Sequence, residues 1–238
     1  MLDRKRLSLI LPFDNYEDTE ADKARAMHEH ELGMVLPCEP LLMQKSRPIK
    51  AVELQSASAK NVIERLYAAA EGQRRIGKGN KKRRTLVGLA APQIGELVRI
   101  VLVDTGVKPG RKKYGKLECF INPVIVWHSR ETEEDREGCF SAGAVWGLVR
   151  RPIAVKVKAL NQNGKSVERV LEGFTARIAQ HEIDHLDGVR FADLIKSDRK
   201  RHWVHAEELE IYPKNIRRWP RICTRERWDE VKGVTPTQ

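Results

Sequence analysis

The 238-residue chain is predicted to be α+β, with mainly antiparallel β-sheets packed around a buried helix. Three observations predict this. Two segments have strand character, Leu97 to Val103 and Ile153 to Leu160, and the second alternates clearly at Val155, Val157 and Ala159. Asn163-Gly164 is a two-residue hairpin signal leading into Val167 to Leu171, which implies antiparallel pairing. After Gly173 the period changes. Phe174, Ile178, His181 and His185 recur at spacings of four, three and four, so they share one helical face.

Taken in order, residues 1–37 form an N-terminal extension. Its first residues, Met1 to Arg6 followed by Leu7 to Phe13, faintly suggest a signal peptide. The apolar stretch is short, contains Ser8 and Pro12, and lacks a small-residue cleavage site. The acids Asp14, Glu17, Asp18, Glu20 and Asp22 argue against a transit peptide, so a cytoplasmic location is expected, with an organelle as the alternative. Glu20 to Leu32 is rich in helix formers. Ser56 is a candidate cap for a helix through Glu71 whose apolar face is Val62, Leu66, Ala69 and Ala70. The small residues of Leu86 to Gly95 allow close backbone approach, and Gln93 offers an amide there. Gly173 ends the last strand, and the helix after it runs to about Leu186.

That helix carries His181-Glu182-x-x-His185. Four residues are about one turn, so both imidazoles project from one face and can hold one metal ion. Glu182 has the neighbouring position, where a carboxylate can accept a proton from water. The plainer alternative is a chance match on a solvated helix. Phe174 and Ile178 on the same face argue that it is buried, and a metal satisfies two buried histidines. A catalytic site of this kind usually has three protein ligands.

The segment Glu137-Gly138-Cys139-Phe140-Ser141 suggests the third. Cysteines occur only at 38, 119, 139 and 223, with no C-x-x-C pair and no disulfide framework. Cys139 stands out because its neighbours are polar and flexible, whereas a lone cysteine is most often a small buried hydrophobe.

The three segments together resemble the peptide deformylase family. Leu86 to Gln93 (LVGLAAPQ), Glu137 to Ser141 (EGCFS) and Gln180 to His185 (QHEIDH) match its three motifs in order, and the likeness covers roughly residues 38–195. The family's fold and function follow as expectations. The domains would be the extension 1–37, a catalytic domain 38–195 with a basic insertion near 73–84, and a basic extension 196–238. The resemblance implies hydrolytic removal of the formyl group from N-terminal formyl-methionine of nascent peptides. One divalent metal, iron(II) by analogy, with zinc as the alternative and nickel or cobalt as substitutes, would be held by Cys139, His181 and His185. Glu182 would be the general base, and the Gln93 amide and Phe140 backbone N–H would face the developing oxyanion. Gly88 would meet the substrate backbone, and Val87, Phe174 and Ile178 would line the side-chain pocket. Arg151 would pair with Glu137 behind the cysteine.

The chain departs from the family pattern at several places. Leu86 replaces the first glycine of the loop, and Phe140 replaces a leucine. Asp135-Arg136 precedes Glu137 where an apolar residue is frequent. Ala142-Gly143-Ala144 stands where Val-Pro-Gly is common. Two alternatives stay open: a catalytically weak deformylase-like protein that binds RNA or ribosomes, and a metallopeptidase with another third ligand.

Composition bounds the rest. With 41% hydrophobic and 32% charged residues the chain is expected to be globular, and no apolar run approaches a membrane span. Its net charge is +11. Gln73 to Arg84 contains seven Lys or Arg and no acid, and reads as a mobile basic loop. The basic tail from Lys196 has Trp203, Trp219 and Trp228 interleaved. Loop and tail are the candidate contacts for RNA or ribosomes.

Overall fold

The computed structural model describes residues 18–79, 86–107 and 115–234, with backbone alone for residues 75–79. Helix α1 spans Glu20–Glu31 and helix α2 spans Ala57–Gly79. Strands β1 (Gly88–Ala90), β2 (Ile100–Asp104) and β3 (Leu117–His128) follow. Then come β4 (Thr132–Gly138), β5 (Val145–Pro152), β6 (Ala154–Leu160) and β7 (Ser166–Glu172). Helix α3 (Gly173–Leu186) is followed by β8 (Arg201–Trp203), α4 (Tyr212–Asn215) and α5 (Arg225–Val231).

The expected α+β class is the observed one. Two antiparallel sheets, ordered β1-β2-β3-β6-β7 and β4-β5-β8, border α3. Strand β2 shows why α3 is central. All five of its residues are buried. Ile100 and Leu102 face Leu66 and Ala70 of α2, while Val101 and Val103 face Ala176, Ala179 and Ile183 of α3. Alternate side chains point to opposite faces, so a strand with a helix on each side is apolar over Ile100 to Val103, and the buried Asp104 at its end needs a charged partner.

The hairpin β6–β7 forms, but not through a two-residue turn. Leu160 pairs with Ser166, which leaves five residues in the loop. The Asn161 side chain accepts from the backbone N–H groups of Asn163 and Lys165, both at 3.0 Å, and this closes the wider turn. Ser56 caps α2 as expected, its hydroxyl accepting from Ala59 N–H at 3.1 Å.

One reading of the basic segments is overturned over part of its length, and the other is narrowed. The first concerns Gln73 to Arg84, expected to be a mobile loop. Residues 73–79 continue α2, Gln73 is buried, and Arg74 reaches into the fold. Arg74 donates to Asp104, which is fully buried, at 2.5 Å, and to the carbonyls of Leu86 and Gly115, both at 3.1 Å. A long side chain anchored by a buried carboxylate extends the helix two turns past Glu71. Residues 80–84 of that run lie outside the described residues.

The second concerns the tail. Trp203, Trp219 and Trp228 are buried, at 3%, 6% and 0% exposure, and cannot stack on bases. Trp203 belongs to β8, which pairs with β5. Trp228 packs with Val145, Phe191, Cys223 and Val231 in a core cluster that also contains Cys139. The start of the described chain also meets the segment after β8. Asp22 accepts from Ala206 N–H at 2.9 Å and lies 2.6 Å from His205 Nδ1, and Thr19 donates to Glu207 at 2.9 Å.

Candidate metal centre

Helix α3 presents His181 and His185 toward the end of β4, and Cys139 follows that strand directly. Their ligand atoms all lie within 4.8 Å of one another. Cys139 Sγ is 3.2 Å from His185 Nε2. His181 Nδ1 lies 2.9 Å from Glu137 Oε2, which leaves its Nε2 for the centre. The ring of His181 stacks on Phe191 at 5.9 Å. A thiolate and two imidazoles converging in a buried place are a donor set that suits a divalent transition metal. Near them, Glu182 Oε2 is buried and hydrogen-bonds to no described protein group.

Glu137 organises the support behind this set. Arg151 donates to both its oxygens, at 2.6 and 2.9 Å, in a fork-to-fork pair. Arg177 donates to it at 2.8 Å, and Arg151 reaches Asp184 at 2.7 Å. Burial raises the Glu137 carboxyl's pKa, but the hydrogen bonds from Arg151 and His181 outweigh it and hold the group well below the usual carboxylate range. Burial likewise opposes charge on His181, and its hydrogen bonds to Cys139 and Glu137 raise its pKa well above the ordinary value despite this. His185 is driven well below, by burial and by the nearby His181. Burial pushes the Glu182 carboxyl up to about 7.

The loop motif lies against the same centre. Gln93 is buried, its carbonyl oxygen accepts from Ala90 N–H at 2.8 Å, and its amide donates to Ser141 Oγ at 3.2 Å and toward Cys139 Sγ at 3.4 Å. Gly88 lies on the Glu182 carboxylate. A Cβ there would fall 2.4 Å from Glu182 Oε1, so no larger residue fits without moving the acid. Gly138 is constrained similarly, since a Cβ would fall 2.5 Å from the Trp146 ring.

Cys139, His181, His185, Glu182, Glu137, Arg151, Gln93 and Gly88 thus gather around α3. Val87, Phe174 and Ile178 lie together in the cluster between α3 and the larger sheet, Ile178 buried and the other two partly so. Phe140 opens a 3-10 turn, Phe140–Ala142, directly after Cys139. The departures also find places. Leu86 fills the core beside Leu66 and Leu89. Ala142 and Ala144 are buried, and Gly143 lies near Pro37. The sequence reading missed Arg177, Asp184 and Ser141. Asp184 lies inside the recognised helix motif and Ser141 inside the cysteine motif, so their positions were in view without a role, whereas Arg177 precedes the helix motif by three residues.

Comparison with known proteins agrees with this geometry. A family model described as polypeptide deformylase matches residues 34–201. A curated peptide deformylase of Pseudothermotoga lettingae is 37% identical over 163 residues, 68% of this chain and 81% of that protein. One from Fusobacterium nucleatum is 46% identical over 132 residues, 56% of this chain and 71% of that protein. Among solved structures, the actinonin-bound class I type b enzyme of Acinetobacter baumannii has a TM-score of 0.56 at 32% identity, covering 68% of this chain and 97% of that one. The enzyme of Ehrlichia chaffeensis has a TM-score of 0.56 at 25% identity, covering 77% and 93%.

Proposed function

Because the chain belongs to the polypeptide deformylase family, we propose that Cys139, His181 and His185 hold the metal on which its deformylation of peptides depends. The convergence of one Sγ and two imidazoles within 4.8 Å is the observation that carries this reading. Iron(II) is the proposed ion, with zinc as the alternative. When bound, such an ion acts as a Lewis acid toward water and the formyl carbonyl.

The chain's own groups account for the rest. Glu182 accepts the proton of the attacking water on its carboxylate and returns it to the departing amine. Its position against Gly88, at the lip of the centre, supports this role. The Gln93 amide and the Phe140 N–H are proposed to donate to the developing oxyanion. The Ala90 bond orients Gln93 toward Cys139, so its Nε2 is already aimed where charge would build. Strand β1 is at the end of its sheet. An extended formyl peptide can add alongside Gly88 as another strand, the mode by which sheet edges take peptides. Val87, Phe174 and Ile178 would take the methionine side chain. Glu137 and Arg151 hold the His181 ring and keep its Nδ1 engaged.

The test is turnover of a formyl-Met peptide by anaerobically purified protein, with metal analysis of the same sample. Stoichiometric metal with release of formate is expected. Metal-independent turnover, or cleavage of an internal peptide bond, would overturn the reading.

A contact with ribosomes or RNA in the cytoplasm is part of the proposal. The net charge of +11 supports it. The contact must use exposed basic groups, since the tail tryptophans are buried. Ribosome pelleting across a salt series should show binding that weakens as salt rises.

A further inference from the structure

Apart from the Phe191 ring stacked on His181, every group assigned to the centre so far falls between Val87 and His185. Arg190 lies beyond them and is 1% exposed. Its Nη1 donates to the Ser141 carbonyl at 3.0 Å and to the Pro37 carbonyl at 2.6 Å. Its Nε and Nη2 hydrogen-bond to no described protein group, and it makes no ion pair among the described residues. Its Cζ sits 4.7 Å from the centroid of the Trp228 ring. Trp228 is tied in turn. Its Nε1 donates to Asp193 Oδ1 at 2.7 Å, and the other oxygen of Asp193 accepts from Arg190 N–H at 3.0 Å.

A guanidinium buried without a carboxylate is costly, and an apolar side chain of similar volume would ordinarily serve packing as well. What Arg190 does that an apolar residue cannot is hold two carbonyls and set a positive charge behind Cys139. Ser141 is two residues past that ligand and carries the hydroxyl that receives Gln93. The aromatic face of Trp228 offsets part of the desolvation. Trp228 lies outside the stretch matched by the family model.

We propose that Arg190 is a positioning residue that fixes the Cys139–Gly143 turn, and that Trp228 of α5 holds Arg190 in place. The C-terminal segment is thereby part of the centre's support. This rests on the reading of Cys139 as a ligand.

The test uses the full chain with Arg190→Met, Arg190→Lys and Trp228→Leu. Three quantities are read: Co2+ affinity with the thiolate-to-cobalt absorption, hydrogen exchange at Ala142 and Gly143 in metal-free protein, and kcat against KM for a formyl-Met peptide. Arg190→Met should keep the wild-type circular dichroism, weaken Co2+ binding about 10-fold and alter the absorption. It should also speed exchange at both amides and lower kcat more than KM. Lysine should restore part of each, and Trp228→Leu should move all three in the same direction by less. Wild-type exchange and Co2+ affinity in folded Arg190→Met would overturn the proposal. If that variant does not fold, wild-type values in Trp228→Leu overturn it. A wild-type protein without the thiolate band would instead remove Cys139 as a ligand. The amide exchange needs no metal and still decides the role of Arg190.

Discussion

At the scale of single residues, roles can be separated by what each side chain touches. Glu182 has no ligand spacing of its own, so Glu182→Gln should keep its metal and lose about 100-fold or more in deformylation. Retained activity, or lost metal, would remove it as the base. Gly88→Ala should act on the same carboxylate from outside, because the added methyl occupies the place of Glu182 Oε1. Overpacking of this kind costs about 1–3 kcal/mol, and the displaced acid should slow turnover about 10- to 100-fold. Thermal melts and peptide kinetics of one preparation check both. Cys139→Ser should release metal, whereas Cys119→Ala and Cys223→Ala should keep it, since those two thiols are core groups whose pKa burial pushes up to about 12. Equal metal loss from all three would contradict this. The ligands and base were legible because their order is local, and one helical turn brings His181 and His185 together. Arg177 and Arg190 were not, because their acceptors are Glu137 and Ser141, 40 and 49 residues away. Nothing in a linear pattern marks such pairs.

At the scale of elements, β6–β7 was readable because its residues alternate between the two faces, and α3 because Phe174, Ile178, His181 and His185 recur at helical spacing, although most of the helix is buried. Strand β4 was not readable. Its sequence, TEEDREG, is polar on both faces, and only pairing with β5 makes it a strand. Helix α2 was underestimated because its last turns depend on Arg74 reaching Asp104, a partner 30 residues on. Helix α5 is held by Asp193, which accepts from Trp228 and Lys232. Burial opposes the charge of Asp193, and the hydrogen bonds from Trp228, the Arg190 backbone and Lys232 prevail, lowering its pKa below the ordinary 3.8. A carboxylate depressed by folding contributes stability that is present above its unfolded pKa and fades as pH falls through the folded one. Acid titration below about pH 4 should therefore release α5, seen as a red shift of tryptophan emission. Asp193→Asn should loosen α5 at neutral pH and flatten that acid limb. Superimposable titrations of the two proteins would refute the anchor.

At the scale of the whole molecule, the described parts of the basic insertion and of the C-terminal extension pack into the fold. Arg74→Ala leaves the buried Asp104 without its ion-pair partner, held only by the backbone N–H groups of Gly106 and Gly115, and should lower stability by about 3 kcal/mol in urea unfolding. An unchanged midpoint would show that the pair is inert. Truncation before β8 strips Trp203, Cys223 and Trp228 from the cluster that includes Cys139. It should yield protein that aggregates and retains little metal. The docking of α5 behind the Cys139 turn also bears on the order in which the molecule is made. Chains are built from the N-terminus and fold as they emerge, so Trp228 appears after every ligand and after the base. The packing around Cys139 is therefore completed only when the last described helix has been made.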